Sequence, residues 1–222
     1  MITKAQFVAE TSLKGVKPAL QERSLQRRNE LFKAGMELLC EKGIDDVSVV
    51  DIAAKCGYSV GTFYSRFDDK ESFFHALQIY TVNKALSQVI AEFSRDKWKT
   101  EEPEVVFRKA VEYLISIFRG ETKGVIKESI VRSRDREEAW VPIRDSGRQV
   151  ADVIVDLLKD KLYKNNIEAS ELSIRFGLQM VYGTLIQSLL NDPGPVLLDD
   201  PRLEDYLTRM LCGYVQLEGQ SL

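Results

Sequence analysis

Between Ser59 and Lys70 the chain groups residue types that recognise anions. Ser59, Gly61 and Thr62 come first, followed by Tyr64, Arg66 and Lys70. Hydroxyls hydrogen-bond to phosphate oxygens and base edges, a glycine lets backbone approach closely, and Arg and Lys pair with phosphate. This is recognition chemistry rather than bond-breaking chemistry. Other reactive types are sparse. His75 is the only histidine, which excludes a histidine cage or a pair of catalytic histidines within one chain. The acidic pairs Asp45-Asp46, Asp68-Asp69 and Asp199-Asp200 fall at predicted helix starts, where they offset the helix dipole. With no glycine-rich phosphate loop either, neither an enzymatic activity nor a metal or cofactor is expected. Cys40, Cys56 and Cys212 are odd in number, widely spaced and set among apolar residues, as buried thiols in a reducing compartment would be. Redox sensing at Cys56 is the sharper alternative, but the sequence supplies no basic pair to make a thiolate.

The elements that must position the cluster can be read around it. Ser48 to Lys70 reads SVVDIAAKCGYSVGTFYSRFDDK, two short helical segments joined by a Gly57-Tyr58-Ser59 turn. That is the layout of a helix-turn-helix, and it points to duplex DNA. A recognition helix enters a major groove about 12 Å wide, so small residues are expected at its N-terminal end. Leu25, Leu31, Phe32, Met36, Leu38 and Leu39 recur at helical spacing and predict a supporting helix over 22–42, stopped by Gly43. Ser48 with Asp51 predicts a capping box, and Ser59 is expected to cap the helix from Val60 to about Phe67. Phe63 and Phe67, one turn apart, anchor that helix to its own core. Asp68 with Glu71 predicts a second cap, launching a helix to Phe93.

A net charge of −3 is unusual for a DNA binder, but its distribution matters more than its sum. From Lys14 to Arg28 the basic residues Lys14, Lys17, Arg23, Arg27 and Arg28 face the single acid Glu22. The DNA surface is therefore expected to be local, with Arg23, Arg27 and Arg28 extending it and the Lys14 to Lys17 arm able to follow a groove.

The rest reads as helix. A polar stretch over 94–104 leads into a helix from Pro103 to Phe118, another spans 125–134, and Pro142 opens one running to about Tyr163. Arg132, Arg134 and Arg136 could meet an anionic effector, but Asp135, Glu137 and Glu138 lie among and beside them, which predicts a solvated, self-compensated turn. Over 168–190, Ile174, Leu178, Val181, Leu185 and Leu189 form one apolar stripe and Phe176, Met180, Gly183 and Leu190 another. After the turn at 191–195, a last helix over 201–216 carries Leu203, Leu207, Met210, Leu211 and Tyr214. One apolar face must pack internally, and the second points to another subunit. No apolar run approaches the roughly 18 residues needed to cross a bilayer, and the N-terminus has no signal-peptide centre. A cytoplasmic protein without a membrane partner is expected.

Gly43, Ser48, Ile52-Ala53, Gly57 to Phe67 and Lys70-Glu71 resemble the pattern of the TetR family of bacterial transcriptional regulators. In that pattern a supporting helix ends in Gly, a Ser/Thr-capped helix follows, and the run Gly-x-Ser-x-Gly-Thr-aromatic-Tyr-x-His/Tyr-Phe-x-x-Lys-Glu completes it. Arg66 stands where the family usually has His or Tyr, which adds charge and reach. The resemblance implies an all-α fold. It divides into an arm over 1–21, a three-helix DNA-binding domain over 22–72, and a larger helical bundle over 73–222 for effector binding and dimerisation. It implies DNA-facing roles for Ser48, Ser59, Val60, Gly61, Thr62, Tyr64, Arg66 and Lys70. Dimerisation through the last two helices would place Leu178, Val181, Leu185, Leu189, Leu207, Met210, Leu211 and Tyr214 at the interface. The expected function is a homodimeric repressor on double-stranded DNA, released from a palindromic operator by a small, largely apolar effector. The alternative is an activator or chromosome-organising factor of the same fold acting through protein partners. Phe107, Tyr113, Phe118, Trp140, Tyr163, Phe176 and Tyr182 could line an effector cavity, but aromatics at helical spacing are more often core, and no ligand residue is nominated.

Overall fold

A computed structural model describes residues 13–17, 22–162, 167–191 and 194–218. Most of the expected 1–21 arm, Tyr163, and Asp192 and Pro193 of the expected turn therefore lie outside the described residues. Among those described are nine α-helices and no strand: α1 (Glu22–Glu41), α2 (Val49–Lys55), α3 (Val60–Tyr64), α4 (Lys70–Phe93), α5 (Pro103–Arg119), α6 (Lys123–Arg132), α7 (Val141–Leu162), α8 (Ile167–Asn191) and α9 (Leu203–Glu218). The all-α reading holds, and Pro103 occupies the first turn of α5, where its missing N–H costs nothing.

The chain forms two compact units. One runs up to Lys84 and includes Glu121–Ile143, and the other joins Ala85–Gly120 to the chain from Arg144 onward. Four phenylalanines lie at the centre of the first: Phe32 of α1, Phe63 of α3, Phe67, and Phe73 of α4, all at 0% exposure. In five of their pairs, all but Phe32 with Phe63, the ring centroids lie 5.0 to 5.9 Å apart, with Phe67 edge-on to Phe73, within the range where aromatic pairs add to simple burial. Leu31, Ile44, Val47, Ile52 and Leu77 complete this core.

Helix α6 belongs to the same unit, although α5 separates it in sequence from the other helices there. A Cβ at Gly124 would collide with the backbone of α1 at Leu39 and Cys40, so glycine is what allows the two helices to touch. The buried Gln78 carboxamide of α4 donates to Ser129 Oγ (2.7 Å) and to the Ala139 carbonyl (2.6 Å). Arg132, its side chain only 13% exposed, reaches Glu71 (2.6 Å), Asp45 (3.4 Å) and Glu128 (3.7 Å), and Arg136 reaches Glu71 (2.8 Å). The expected self-compensated turn is thus corrected. Arg132 and Arg136 find acids far away in sequence, which their interleaved neighbours concealed.

In the second unit α5, α8 and α9 pack together through Phe107, Val111, Leu114 and Phe118, through Ile174, Leu178, Val181 and Leu185, and through Leu203, Leu207, Leu211 and Val215, all buried. Gly177 gives the Leu211 side chain its place against α8. Helix α7 contributes Val150, Ile154, Val155 and Leu158, and Asp152 holds Arg175 of α8 at 2.7 Å. Leu178, Val181, Leu185, Leu207 and Leu211, expected at a subunit interface, are buried within the single chain. Leu172 and Phe176 of α8 and Tyr206 and Met210 of α9 point outward instead. Leu189 and Tyr214 are half-buried.

Substituting Gly124 with Ala is expected to lower the thermal midpoint, at a cost of about 1–3 kcal/mol, because α1 backbone rather than a flexible side chain must yield. An unchanged midpoint in a calorimetric scan would show that the helices separate freely.

Candidate nucleic-acid interface

The site is assembled from its two ends. At the start of α2 the capping box closes as its residue types dictate: the Asp51 amide donates to Ser48 Oγ and the Ser48 amide donates to Asp51 Oδ2, both at 3.0 Å. Lys42 Nζ adds a third contact to that carboxylate at 3.2 Å. The Ser48 amide first, and Lys42 beside it, hold the Asp51 carboxyl at about 2. Ser48 itself is exposed.

At the end of α2 the chain turns through Gly57, whose φ of +70° lies in the left-handed region. Space is open around this position, so backbone conformation alone requires the glycine. The Tyr58 amide donates to the Ala53 carbonyl (2.9 Å), and its hydroxyl donates to the Glu30 carboxylate of α1. That hydrogen bond lowers the pKa of Glu30 and raises that of Tyr58. Cys56 Sγ donates to the Glu30 carbonyl at 3.3 Å. The turn is thereby stapled to the supporting helix.

Helix α3 has one fully buried side chain, Phe63, and presents its opposite edge outward: Ser59, Gly61 and Tyr64 are exposed, and Val60, Thr62 and Arg66 are half-buried. Ser59 occupies the N-cap position but makes no cap hydrogen bond with its side chain. Its Oγ lies 3.2 Å from the Thr62 hydroxyl instead, so the expected cap becomes a hydroxyl pair on the exposed edge. Tyr64 stands edge-on to Phe63 at 5.5 Å, which fixes the base of an otherwise outward ring.

Lys70, expected to face DNA, holds backbone of its own unit. Its ammonium donates to the carbonyls of Ile44 (2.7 Å), Val47 (3.0 Å) and Asp45 (3.2 Å). All three N–H groups are engaged, and the lysine clamps the turn that leads into Ser48. The expected cap at α4 is also corrected by one residue. Asp69 and Ser72 exchange the capping contacts, with the Ser72 amide on Asp69 Oδ1 at 2.7 Å and the Asp69 amide on Ser72 Oγ at 3.2 Å. Asp68 pairs with Lys17 (3.2 Å), and Glu71 serves Arg132 and Arg136.

Arg23 and Arg27 are exposed on α1, while Arg28 lies over the Phe32 ring at 5.6 Å and contacts Asn29. Lys17 donates to the Tyr64 carbonyl at 2.9 Å, so at least this part of the expected arm is bound to its own domain. Lys17, expected in an arm able to follow a groove, and Tyr58, expected only as part of the turn, both hold the site. Gly15, two residues before Lys17, is the local signal of a turn there.

The expected burial of the thiols is corrected as well, since Cys40 is exposed and Cys56 and Cys212 are intermediate. Burial, then the charges of Glu30 and Glu37, raise the pKa of Cys56, and burial raises that of Cys212 to about 11. Both are neutral thiols near neutral pH. Burial lowers the pKa of His75 on α4 against the opposing charge of Glu138. Among the described residues no group of three or more His, Cys, Asp or Glu is placed to hold a metal ion, and no helix is long and apolar enough to cross a membrane.

Residues 31–77 match the model of the family described as bacterial regulatory proteins, tetR family. The chain is 31% identical over 68 residues to the uncharacterized HTH-type transcriptional regulator YvdT of Bacillus subtilis, covering 31% of this chain and 35% of that protein. It spans 29 to 50% of the length of the curated relatives it matches. Among solved structures it shares its fold with a regulator from Mesorhizobium loti assigned to the TetR family (TM-score 0.70, 16% identity, 89% of this chain and 98% of that one). It also shares the fold of AibR in complex with isovaleryl coenzyme A and operator DNA (TM-score 0.57, 17% identity, 83% and 97%).

Lys70→Met is expected to destabilise the protein by about 1–3 kcal/mol, the cost of leaving partly buried carbonyls short of partners, as read from denaturant unfolding. For Asp51, a depressed folded pKa means its stabilisation is fully present above the ordinary carboxyl value of 3.8 and is lost as pH falls through about 2. The difference in thermal midpoint between the natural protein and Asp51→Ala is therefore expected to shrink over that window, and a constant difference would contradict the capping-box account.

Proposed function

We propose, for a chain whose residues 31–77 match the model of the tetR family of bacterial regulatory proteins, a sequence-specific transcriptional regulator. In this reading it acts as a homodimeric repressor on a palindromic operator and is released by a small, largely apolar effector. The observation that carries the reading is the outward edge of α3. Small and hydroxylated residues stand at its start, Tyr64 projects beyond them, and Phe63 anchors the opposite side. Such an edge suits a major groove about 12 Å wide. Ser59, Val60, Gly61 and Thr62 approach the bases and the nearest phosphates. Tyr64 and Arg66 set position on the backbone, and the α2 start at Ser48 and the exposed Arg23 and Arg27 extend that surface, flanked by Arg28. Lys70 contributes by holding the turn that presents Ser48.

The outward apolar residues Leu172, Phe176, Tyr206 and Met210 support pairing of α8 and α9 with a second copy. Twofold pairing would supply two reading heads for two half-sites. The AibR complex with a coenzyme A ester and operator DNA supports an effector-responsive reading. An effector held in the second unit would act by favouring a conformation unfit for the operator.

Selection from a random duplex pool, followed by gel shifts at several salt concentrations, tests the proposal. A palindromic, salt-sensitive site is expected, and recovery of no sequence preference would overturn it. Tyr64→Ala should weaken binding across all sequences rather than alter base preference. Phe176→Glu with Met210→Glu should yield monomers in sedimentation and reduce affinity about 100-fold or more, as loss of bivalency requires.

A further inference from the structure

Helix α3 spans only Val60–Tyr64, far below the length at which a helix is stable alone. Its last carbonyls need partners from outside the helical pattern. Most find them nearby: the Ser65 amide donates to Gly61, Ser65 Oγ donates to Thr62, and the amides of Arg66 and Phe67 both donate to Phe63. The Tyr64 carbonyl is served by a residue far away in sequence, the Lys17 ammonium at 2.9 Å.

Lys17 is part of a larger attachment. Its amide donates to the Arg66 carbonyl (2.7 Å), the Asp68 amide donates to the Gly15 carbonyl (2.9 Å), and Val16 and Phe67 form an isolated antiparallel bridge. Lys17 Nζ also pairs with Asp68 at 3.2 Å. Gly15 makes the approach possible. Its φ is +78°, and a Cβ there would lie 2.8 Å from that of Ser72 on α4. Conformation and space both require glycine at this position.

We propose that Leu13–Lys17 is a clasp that positions the recognition helix, with Lys17 as its positioning residue. The clasp fixes the exit of α3 as the Tyr58 staple fixes its entry. Lys17 thereby contributes to operator binding through the orientation of Tyr64 and Arg66 and makes no phosphate contact of its own. The affinity consequence rests on the proposed operator reading, whereas the clasp itself is a property of the free protein.

The test has two arms in the full chain. In the free protein, amide exchange is followed at Lys17 and Asp68, the two donors that join the clasp to the head. Slow exchange is expected, and exchange as fast as an exposed loop would overturn the clasp. In the second arm, binding to the selected operator is titrated against salt. Lys17→Met is expected to weaken binding about three- to tenfold, as loss of one or two hydrogen bonds would, with the salt slope unchanged. Lys17→Arg, which keeps the donors, should restore it. A slope reduced by about one for Lys17→Met would identify a phosphate contact and overturn the positioning role. Asp68→Asn, which weakens the pair without touching a cation, should reproduce part of the loss, and full affinity in both variants would also overturn it. If no operator is found while Lys17 and Asp68 remain protected, the operator reading fails and the clasp stands.

Discussion

A five-residue helix cannot hold itself, and everything around α3 follows from that constraint. Phe63 is its one buried side chain, so its seat depends on the rings of Phe32, Phe67 and Phe73 being fixed by α1, the α3–α4 turn and α4. That cluster gives α3 a position but leaves its two ends underdetermined, because a single buried ring permits rocking about itself. The entry is fixed through Gly57 and Tyr58, and the exit through Lys17 and Gly15. The supporting helix is thus a fastening rail as well as a packing surface: Glu30 alone receives the hydroxyl of Tyr58 on its carboxylate and the thiol of Cys56 on its carbonyl.

The same economy governs charge. Several cations near the site serve the fold: Lys70 holds three carbonyls, Lys42 the Asp51 cap, Lys55 the Glu37 carboxylate of α1 at 3.3 Å, and Arg132 three acids. The basic character of a sequence segment therefore overstates the positive field it offers to a polyanion. Arg23 and Arg27, which project from α1, are better placed to supply it than residues whose donors are already satisfied.

Much of the architecture was legible because local signals and burial agreed. Ser48 with Asp51, Gly57, Pro103 and the spacing of Phe63 and Phe67 each specify a local geometry that the structure adopts. The caps of α3 and α4 differ from expectation only locally, at Ser59 with Thr62 and Asp69 with Ser72, whereas the larger differences concern side chains whose partners lie far along the chain. The charge of Lys70 suggests a free point charge because the carbonyls it holds lie 23 to 26 residues earlier, on the other side of the motif. Arg132 and Arg136 looked self-compensated because Glu71 is invisible to local charge patterning. Periodicity showed two apolar stripes on α8 but could not tell which faces inward. The answer comes from Gly177, whose missing side chain admits Leu211 on the side of Leu178 and Val181, leaving Phe176 outside.

The return of α6 to the first unit has a consequence for how the protein comes into being. The Gly124 contact, the Gln78 hydrogen bonds and the Arg132 and Arg136 pairs all join residues before Lys84 to residues after Glu121. During synthesis the part of the first unit up to Lys84 emerges with the α1 backbone at Leu39 and Cys40 and the Glu71 carboxylate still uncovered, until the stretch ending at Ile143 has followed. Domains generally fold as units as they are made, N-terminal first. Here the first unit is completed only after α5, a helix of the second, has already been translated.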